Sequence, residues 1–391
     1  MIPEGWREVR LENIAQVERG KFSARPRNDP SFYGGNIPFV QTGDISAAEG
    51  KLTNYSQTLN EQGLAVSRLF PKGTILITIA ANIGDVALTT FDVACPDSLV
   101  AVQVKKGTSN EWLAYYLQTR KQELDRAATQ NAQKNINLQV LRPLKILLPP
   151  LPEQRAIAAI LGTWDRAIAL TERRLAAAEQ RKKALMQQLL TGRVRFPEFA
   201  GEEWREVRLG QALKERKERG YDDLPLLSVT ADQGIIYRDE LERRDTSNAD
   251  KSKYLRVREG DIAYNTMRMW QGRSGVSELE GIVSPAYTVC TPKPSTDIHF
   301  VGHLFQLPSI IYLFYRYSQG LVSDTWNLKF TNLGKIKVQL PGLEEQRRIA
   351  AVLNTCDREL DLLRRKRDAL QAQKQGLMQR LLTGRVRVHR T

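Results

Sequence analysis

The chain is poor in the residues from which most enzymes build their chemistry. It has three cysteines and three histidines in 391 residues. Cys95, Cys290 and Cys356 fit no Cys-x-x-Cys spacing, so neither a disulfide framework nor a zinc site is indicated. His299 and His303 stand four apart in DIHFVGHLF, yet no glutamate or third ligand accompanies them in motif spacing. The stretch reads as a buried helix with core histidines. There is no GxxxxGK[ST] phosphate loop and no GxSxG elbow. The one Pro-Pro, in LLPPLPEQ, lacks the acid or amide that an amino-methyltransferase motif places before it. Acidic residues from Asp239 to Asp245 read as a solvated loop rather than a nuclease metal site. No run of about 18 apolar residues occurs, and MIPEGWREVR has no apolar core of a leader peptide. A soluble cytoplasmic chain without membrane contact, metal or catalytic centre is expected.

What is present is basic charge and repetition. Lys and Arg number 58 against 44 Asp and Glu, a net charge of +14, which favours a polyanionic partner. The hydrophobic content of 41% is that of a folded protein, and the length suggests two domains. LLTGRVRF at 189–196 returns as LLTGRVRV at 381–388. Behind it, 148–195 and 340–387 align without a gap at an offset of 192, and 27 of those 48 positions are identical by direct count. GWREVRL at 5–11 returns as EWREVRL at 203–209, an offset of 198. The chain is a duplication.

The repeated stretch has the grammar of a long helix. Pro152 is tolerated in the first turn, Glu153 complements the positive end of the helix dipole, and Gly192 suits a left-handed cap. Between them Ile157, Leu161, Trp164, Ile168, Thr171, Leu175, Ala178, Lys182, Leu185 and Leu189 alternate steps of four and three. The second copy repeats the seam with Ile349, Leu353, Cys356, Leu360, Leu363, Arg367, Leu370, Lys374, Leu377 and Leu381. A 3.5-residue average specifies a left-handed coiled coil, here of helices about 60 Å long. Chain connectivity makes the pair antiparallel, with one globular domain at each end. Lys182, Lys374 and Arg367 are expected to lay their stems on the seam and keep their charges in water. RRKRDAL at 364–370 reads as a solvated or protein-docking face.

These features divide the chain into domains at 1–147 and 196–339, with helical regions at 148–195 and 340–391. The fold class is α+β: two α/β domains separated by two antiparallel coiled-coil helices, with pseudo-two-fold symmetry. GTILITIA (73–80) and DVALTTFDVA (85–94) read as a hairpin turning at ANIG. GDIAYNTM (260–267) and GIVSPAYTVCTP (281–292) follow in matching order, joined by the longer loop RMWQGRSGVSELE. One helix follows in each domain, capped by Asn110 and by Asp297. Each domain then closes on a polar loop and a short strand. Because GWREVRL opens the chain while the second helix ends it, quasi-symmetry requires residues 5–11 to dock on the end of that helix. Gly5 is then expected within roughly 20 Å of Arg387, a circular arrangement.

Two variable domains alternating with two near-identical helices, each introduced by LPxLxEQRxIAxxL, resemble the specificity subunit of type I restriction–modification systems. The phrases PLPEQRAIAAIL, LLTGRVRF, FVQTGDIS, PKGTILIT and VREGDIAYNTM carry the resemblance, which covers essentially the whole chain. It implies a non-catalytic subunit that binds double-stranded DNA, one half of an interrupted target per domain, with the helices setting the gap. It also implies two modification subunits that hold S-adenosylmethionine and methylate an adenine in each half, and restriction subunits that complete the nuclease. No cofactor is implied on this chain.

Bases are read by edge contacts, whereas Lys and Arg on phosphates mainly position a domain. On that basis the candidates in the first domain are Lys21, Arg25 and Arg27, Asn82 at the hairpin tip, and Gln130, Asn131, Gln133, Lys134 and Asn135. In the second they are Arg268, Trp270, Gln271 and Arg273, with Trp326, Asn327 and Lys329. For each residue the plain alternative is an ordinary solvated loop side chain. The alternative function is a coiled-coil scaffold whose terminal domains bind proteins, its basicity incidental.

Overall fold

The computed structural model describes residues 2–129, 135–230, 233–241, 250–321 and 325–388. It divides into two compact units, one formed by Met1–Thr171 with Lys366–Thr391 and the other by Glu172–Arg365. Each unit is one head plus the adjoining parts of both long helices, which run Leu151–Leu189 and Leu343–Leu381, 39 residues each. Pro152 therefore takes the second helical position, where an N–H would also lack an intrahelical acceptor.

In the first unit the head is built on a five-stranded sheet in the order Ala15–Arg19, Leu99–Val104, Ile75–Thr78, Val86–Thr89, Lys51–Leu52. The pairings are antiparallel except at the Lys51–Leu52 edge. Side chains alternate across a strand, so one strand feeds two cores. Ile75 and Ile77 pack with Trp112, Leu113 and Leu117 of the helix Asn110–Thr119. Leu76 packs on the opposite side with Val40, Ile45 and Phe70. Covered on both faces, the strand is apolar throughout rather than alternating.

The second unit repeats the sheet with four strands: Leu213–Arg216, Tyr287–Pro292, Ile262–Asn265, Ser274–Val276. Here the sequence expectation needs correction. The hairpin partner of Ile262–Asn265 is Ser274–Val276, which lies inside the stretch expected to be a loop. Gly281–Val283 pairs elsewhere, with Leu255–Val257. Two helical expectations also change. Ser109, not Asn110, caps the first head's helix, its hydroxyl accepting from Trp112 N–H at 3.3 Å. Asp297 caps as expected, accepting from Phe300 N–H at 2.9 Å, but the helix breaks into Ile298–Leu304 and Pro308–Tyr317, bent by 82°. Proline at 308 lacks the N–H needed to continue the first segment and instead opens the second. His303 is buried, whereas His299 is exposed.

Each head ends in the strand that joins it to a long helix, and that strand pairs with the conserved opening phrase. Arg7–Arg10 is antiparallel to Lys145–Leu148, and Arg205–Arg208 to Lys337–Leu340, in the same register. The next residues explain why the Glu-Gln of the helix opening occurs twice. Glu153 accepts from Arg387 at 2.8 and 3.0 Å and from the Trp6 indole at 3.0 Å. Glu345 accepts from Arg195 at 2.9 and 2.6 Å and from the Trp204 indole at 3.2 Å. Gln154 and Gln346, both buried, accept from the backbone N–H of Ser109 and Asp297 at 2.8 and 2.9 Å, the residues that cap the head helices. One turn of helix thus grips the closing arginine with its glutamate and the head with its glutamine. Arg387 also donates to the Glu4 carbonyl at 2.7 Å, so the N-terminal segment does dock on the end of the second helix. Gly384 makes room for it: its φ is +70°, and a Cβ there would lie 2.4 Å from Pro3.

Every seam position is buried or half-buried, while Arg155, Arg166, Arg173 and Glu179 between them are exposed. The antiparallel pairing is visible inside each unit. Lys374 meets Asp165 at 2.5 Å in the first, and Lys182 meets Asp357 in the second. These seam lysines therefore do not carry their charges into water as expected; a facing aspartate takes each one. The head helix reaches the long helices beside both nodes, through the Tyr115 hydroxyl, which donates to Asp165, and through the His303 ring, whose Nε2 hydrogen-bonds Asn354 Oδ1 at 2.7 Å. On the face at 364–370, Arg364 and Arg365 pair with Glu179 and Asp361.

Removing the closing arginine tests this clamp. Arg387→Ala or Arg195→Ala leaves a buried carboxylate without its guanidinium and is expected to cost about 3 kcal/mol. Burial pushes the Glu153 carboxyl up, but Arg387, Trp6 and the Val388 N–H outweigh it and hold it below the ordinary carboxylate range. A depressed native value gives stability that is present above the unfolded value and lost as pH falls through the native one. The Arg387→Ala deficit, read by urea unfolding, should therefore be full at pH 7 and shrink below about pH 4.5.

Candidate nucleic-acid interface

The two heads present the same pair of elements at their tips. In the first, the hairpin that leaves Ile75–Thr78 turns through Ala81 and Asn82, both at positive φ. The chain after the helix Lys121–Thr129 returns beside it: Ile136 N–H donates to the Ile79 carbonyl at 3.0 Å, and Ala80 bridges Asn135. In the second, Leu328 N–H donates to the Thr266 carbonyl at 2.9 Å. Ile79 and Thr266 are each the first residue after the equivalent strand. The hairpin tip and the polar loop thus meet in both heads by one backbone bond.

Asn82 is exposed, and its amide donates to Ser46 Oγ at 3.1 Å. Asn135 lies beside the tip, as the bridge requires. Gln130, Asn131, Gln133 and Lys134 lie outside the described residues. Lys21, Arg25 and Arg27 form a separate loop, fastened by Lys21 N–H to the Cys95 carbonyl and Ser23 N–H to the Val66 carbonyl. All three side chains are exposed. Arg27 is held by both oxygens of Asp97, at 2.9 and 3.1 Å, and Arg25 donates to the Ala24 carbonyl. A cavity of about 310 Å³ opens beside this loop, lined by Arg27, Asn28, Tyr33, Gln41 and Gln57 among others. Gln41 donates to Gln57 across it at 2.6 Å. Sequence reasoning missed these amides because Gln41 caps the helix Thr42–Ala47 while Gln57 opens the strand Gln57–Leu59, and the two meet only in the fold.

In the second head Arg268, Gln271, Arg273 and Lys329 are exposed at the tip. Trp270 is half-buried and donates to the Met267 carbonyl at 3.1 Å. Its ring meets Trp326 edge-on, with centroids 5.6 Å apart. Asn327 directs its amide to the carbonyls of Gln319 and Thr325, at 3.3 and 3.4 Å, and so shapes its own loop. Tyr312 and Tyr315 were not anticipated, yet they are 59% and 44% exposed, with Tyr315 5.0 Å from Trp326. The break at Pro308 was the signal available: a second helix begins there, with its own solvent face.

The three cysteines are buried, and burial pushes the Cys95 thiol up to about 12, which suppresses the thiolate. Among the described residues no group of three His, Cys, Asp or Glu is placed to hold a metal. No single described helix is long and apolar enough to cross a membrane. Two heads of one topology, gripped identically by a duplicated helix pair and differing at their tips, define a two-headed recognition protein.

The comparisons with known proteins agree. The family model described as type I restriction modification DNA specificity domain matches residues 3–180 and again 203–372. The putative type I restriction enzyme MjaX specificity subunit of Methanocaldococcus jannaschii is 28% identical, over 99% of this chain and 95% of its own. The MjaVIII specificity subunit of the same organism is 24% identical over 99% and 94%. The crystal structure of a type I S subunit from M. genitalium shares the fold, with a TM-score of 0.63 at 15% identity over 100% and 97% of the two chains. A chain from a structure addressing complex assembly in the type I R-M system gives 0.58 at 20% identity over 99% and 100%. The chain belongs to the type I restriction–modification DNA specificity family. It is the specificity subunit of such a system and not one of its catalytic subunits.

If the tips read bases, their effects are separable. Arg268→Ala and Gln271→Ala should each cost about 1–3 kcal/mol of discrimination, at base pairs of one half-site only. Binding to duplexes altered in one half at a time measures this, and equal losses on both halves would contradict it.

Proposed function

We propose that this subunit recognises an asymmetric, interrupted target in double-stranded DNA, one half per head, with the two long helices setting the gap. The observation that carries this reading is the contrast between a frame that is duplicated bond for bond and tips that are not. Asn82 and Asn135 occupy the tip of one head; Arg268, Gln271, Arg273 and Trp326 occupy that of the other. Paired hydrogen bonds from Arg suit guanine and those from Asn or Gln suit adenine, so different tips read different bases. Lys21, Arg25 and Lys329 supply phosphate contacts that position each head.

Two modification subunits, each holding S-adenosylmethionine, dock on this chain and methylate an adenine in each half-site. The repeat supports that number: equivalent positions offer equivalent docking points, and Leu170 and Leu362, related by the offset of the duplication, are 46% and 65% exposed. Restriction subunits complete the nuclease. The chain itself holds no cofactor, and the complex works in the cytoplasm, where its DNA substrate is.

Mapping methylated adenines in cells that carry the whole system tests the reading. One bipartite sequence with a constant gap is expected; methylation that follows a single uninterrupted site would refute it. Binding of the purified complex to that duplex should also weaken by roughly a thousandfold between 50 and 200 mM salt if about six phosphates are contacted. Lys329→Ala should reduce the salt slope by about one without changing base preference.

A further inference from the structure

The second head carries a row of four aromatic rings, two exposed and two half-buried, that the equivalent elements of its twin lack. The helix Pro308–Tyr317 buries Ile310 and Phe314, with Ile311 and Leu313 packed beside them. Its other face leaves Tyr312 and Tyr315 at 59% and 44% exposure. Tyr312 stacks on Tyr315 at 6.1 Å, Tyr315 meets Trp326 at 5.0 Å, and Trp326 meets Trp270 at 5.6 Å. The four rings therefore run without interruption from the hairpin tip, across the polar loop, onto the helix. Arg268, Arg273, Arg316 and Lys329 are exposed around them, and among the described residues no carboxylate pairs with any of the four. The equivalent helix of the first head, Lys121–Thr129, reads KQELDRAAT, and its hairpin tip reads IAANIG at 79–84. Where the second head has Trp326, the first has Lys134 at the offset of the repeat. None of these positions offers a ring.

Solvent-facing rings accompanied by exposed cations match a ligand that combines flat apolar faces with regularly spaced negative charge. Nucleic acid has that chemistry, but in an intact duplex the base faces are hidden by their neighbours. They become available when a base leaves the stack. We propose that the Trp270–Trp326–Tyr315–Tyr312 row is a stacking surface for bases displaced at the second half-site. The second head then distorts the half-site it binds, while the first, with a polar tip, reads an intact one. This rests on the DNA-reading function above and adds that the two heads engage their half-sites by different physics. Continuity with the tip and the cationic border favour DNA over a protein as the occupant.

A mismatch lowers the cost of displacing a base, so it should favour a head that unstacks its site. The test uses the complete subunit with its modification subunits and the target defined by methylation mapping. Single mismatches are placed through each half-site, away from the methylated adenines. Some mismatch in the second half should tighten binding severalfold, and none in the first should. Tyr312→Ala combined with Tyr315→Ala should remove that gain and weaken binding to the perfect duplex by roughly tenfold. Tyr312→Phe with Tyr315→Phe, which keeps the rings, should retain both. Mismatches without effect in the second half, or alanine variants that bind as wild type, would overturn the stacking role while leaving DNA reading intact. Alanine variants that bind DNA normally but lose their modification subunit would assign the surface to that protein instead. A wild-type complex with no sequence-dependent binding at all would bring down both readings.

Discussion

A carboxylate buried in the first turn of each long helix is the constraint from which the architecture follows. Glu345 has no exposed side-chain surface and Glu153 very little. An ionised carboxylate in that position is tolerable only when paired and fully hydrogen-bonded. The guanidinium that pairs it comes from just beyond the end of the other helix, and the indole from the phrase that opens a head. Three segments far apart in sequence must therefore meet at one point. For Glu153 that requirement brings the two ends of the chain together.

The adjoining glutamine extends the constraint to the heads. Gln154 and Gln346 sit one residue on, and each reaches the backbone where a head helix begins. Polar residues of the long helices do the same a few turns later: Asp165 accepts from Tyr115 in one head, and Asn354 hydrogen-bonds His303 in the other. The head residue differs between the two and so does its partner, and burial holds the His303 ring toward its neutral form. What fastens a head is thus supplied by the repeated helix and by the repeated opening phrase. The tips carry none of this load, which leaves their loops free to differ in length and chemistry.

Several particulars separate what could be read from residues and what could not. The seam and the two-fold repeat were legible because helix periodicity and identical phrases are local signals, whereas of the two head-helix caps only Asp297 was placed correctly. The strand Ser274–Val276 was hidden, since SGV has neither length nor clear alternation and gains its assignment only by pairing with Ile262–Asn265. The bend at Pro308 was passed over because apolar residues continue across it, and burial, not composition, distinguishes the two segments. The seam lysines were placed in water because their aspartate partners lie on the other helix. The Gln41–Gln57 pair shares that obscurity, since its two residues are brought together only by the fold, and so does the approach of Trp326 to Tyr315.

By itself the sequence determined the duplication, the paired helices and the alternation of frame and head, because each is encoded in repeats and periods that survive without a partner. It also carried the resemblance to a specificity subunit, through phrases that occur twice in the chain. Only the tertiary structure decided which side chains share a site. A hydrogen bond of about 3 Å depends on where two segments arrive, and a 192-residue offset says nothing of that until the chain has folded.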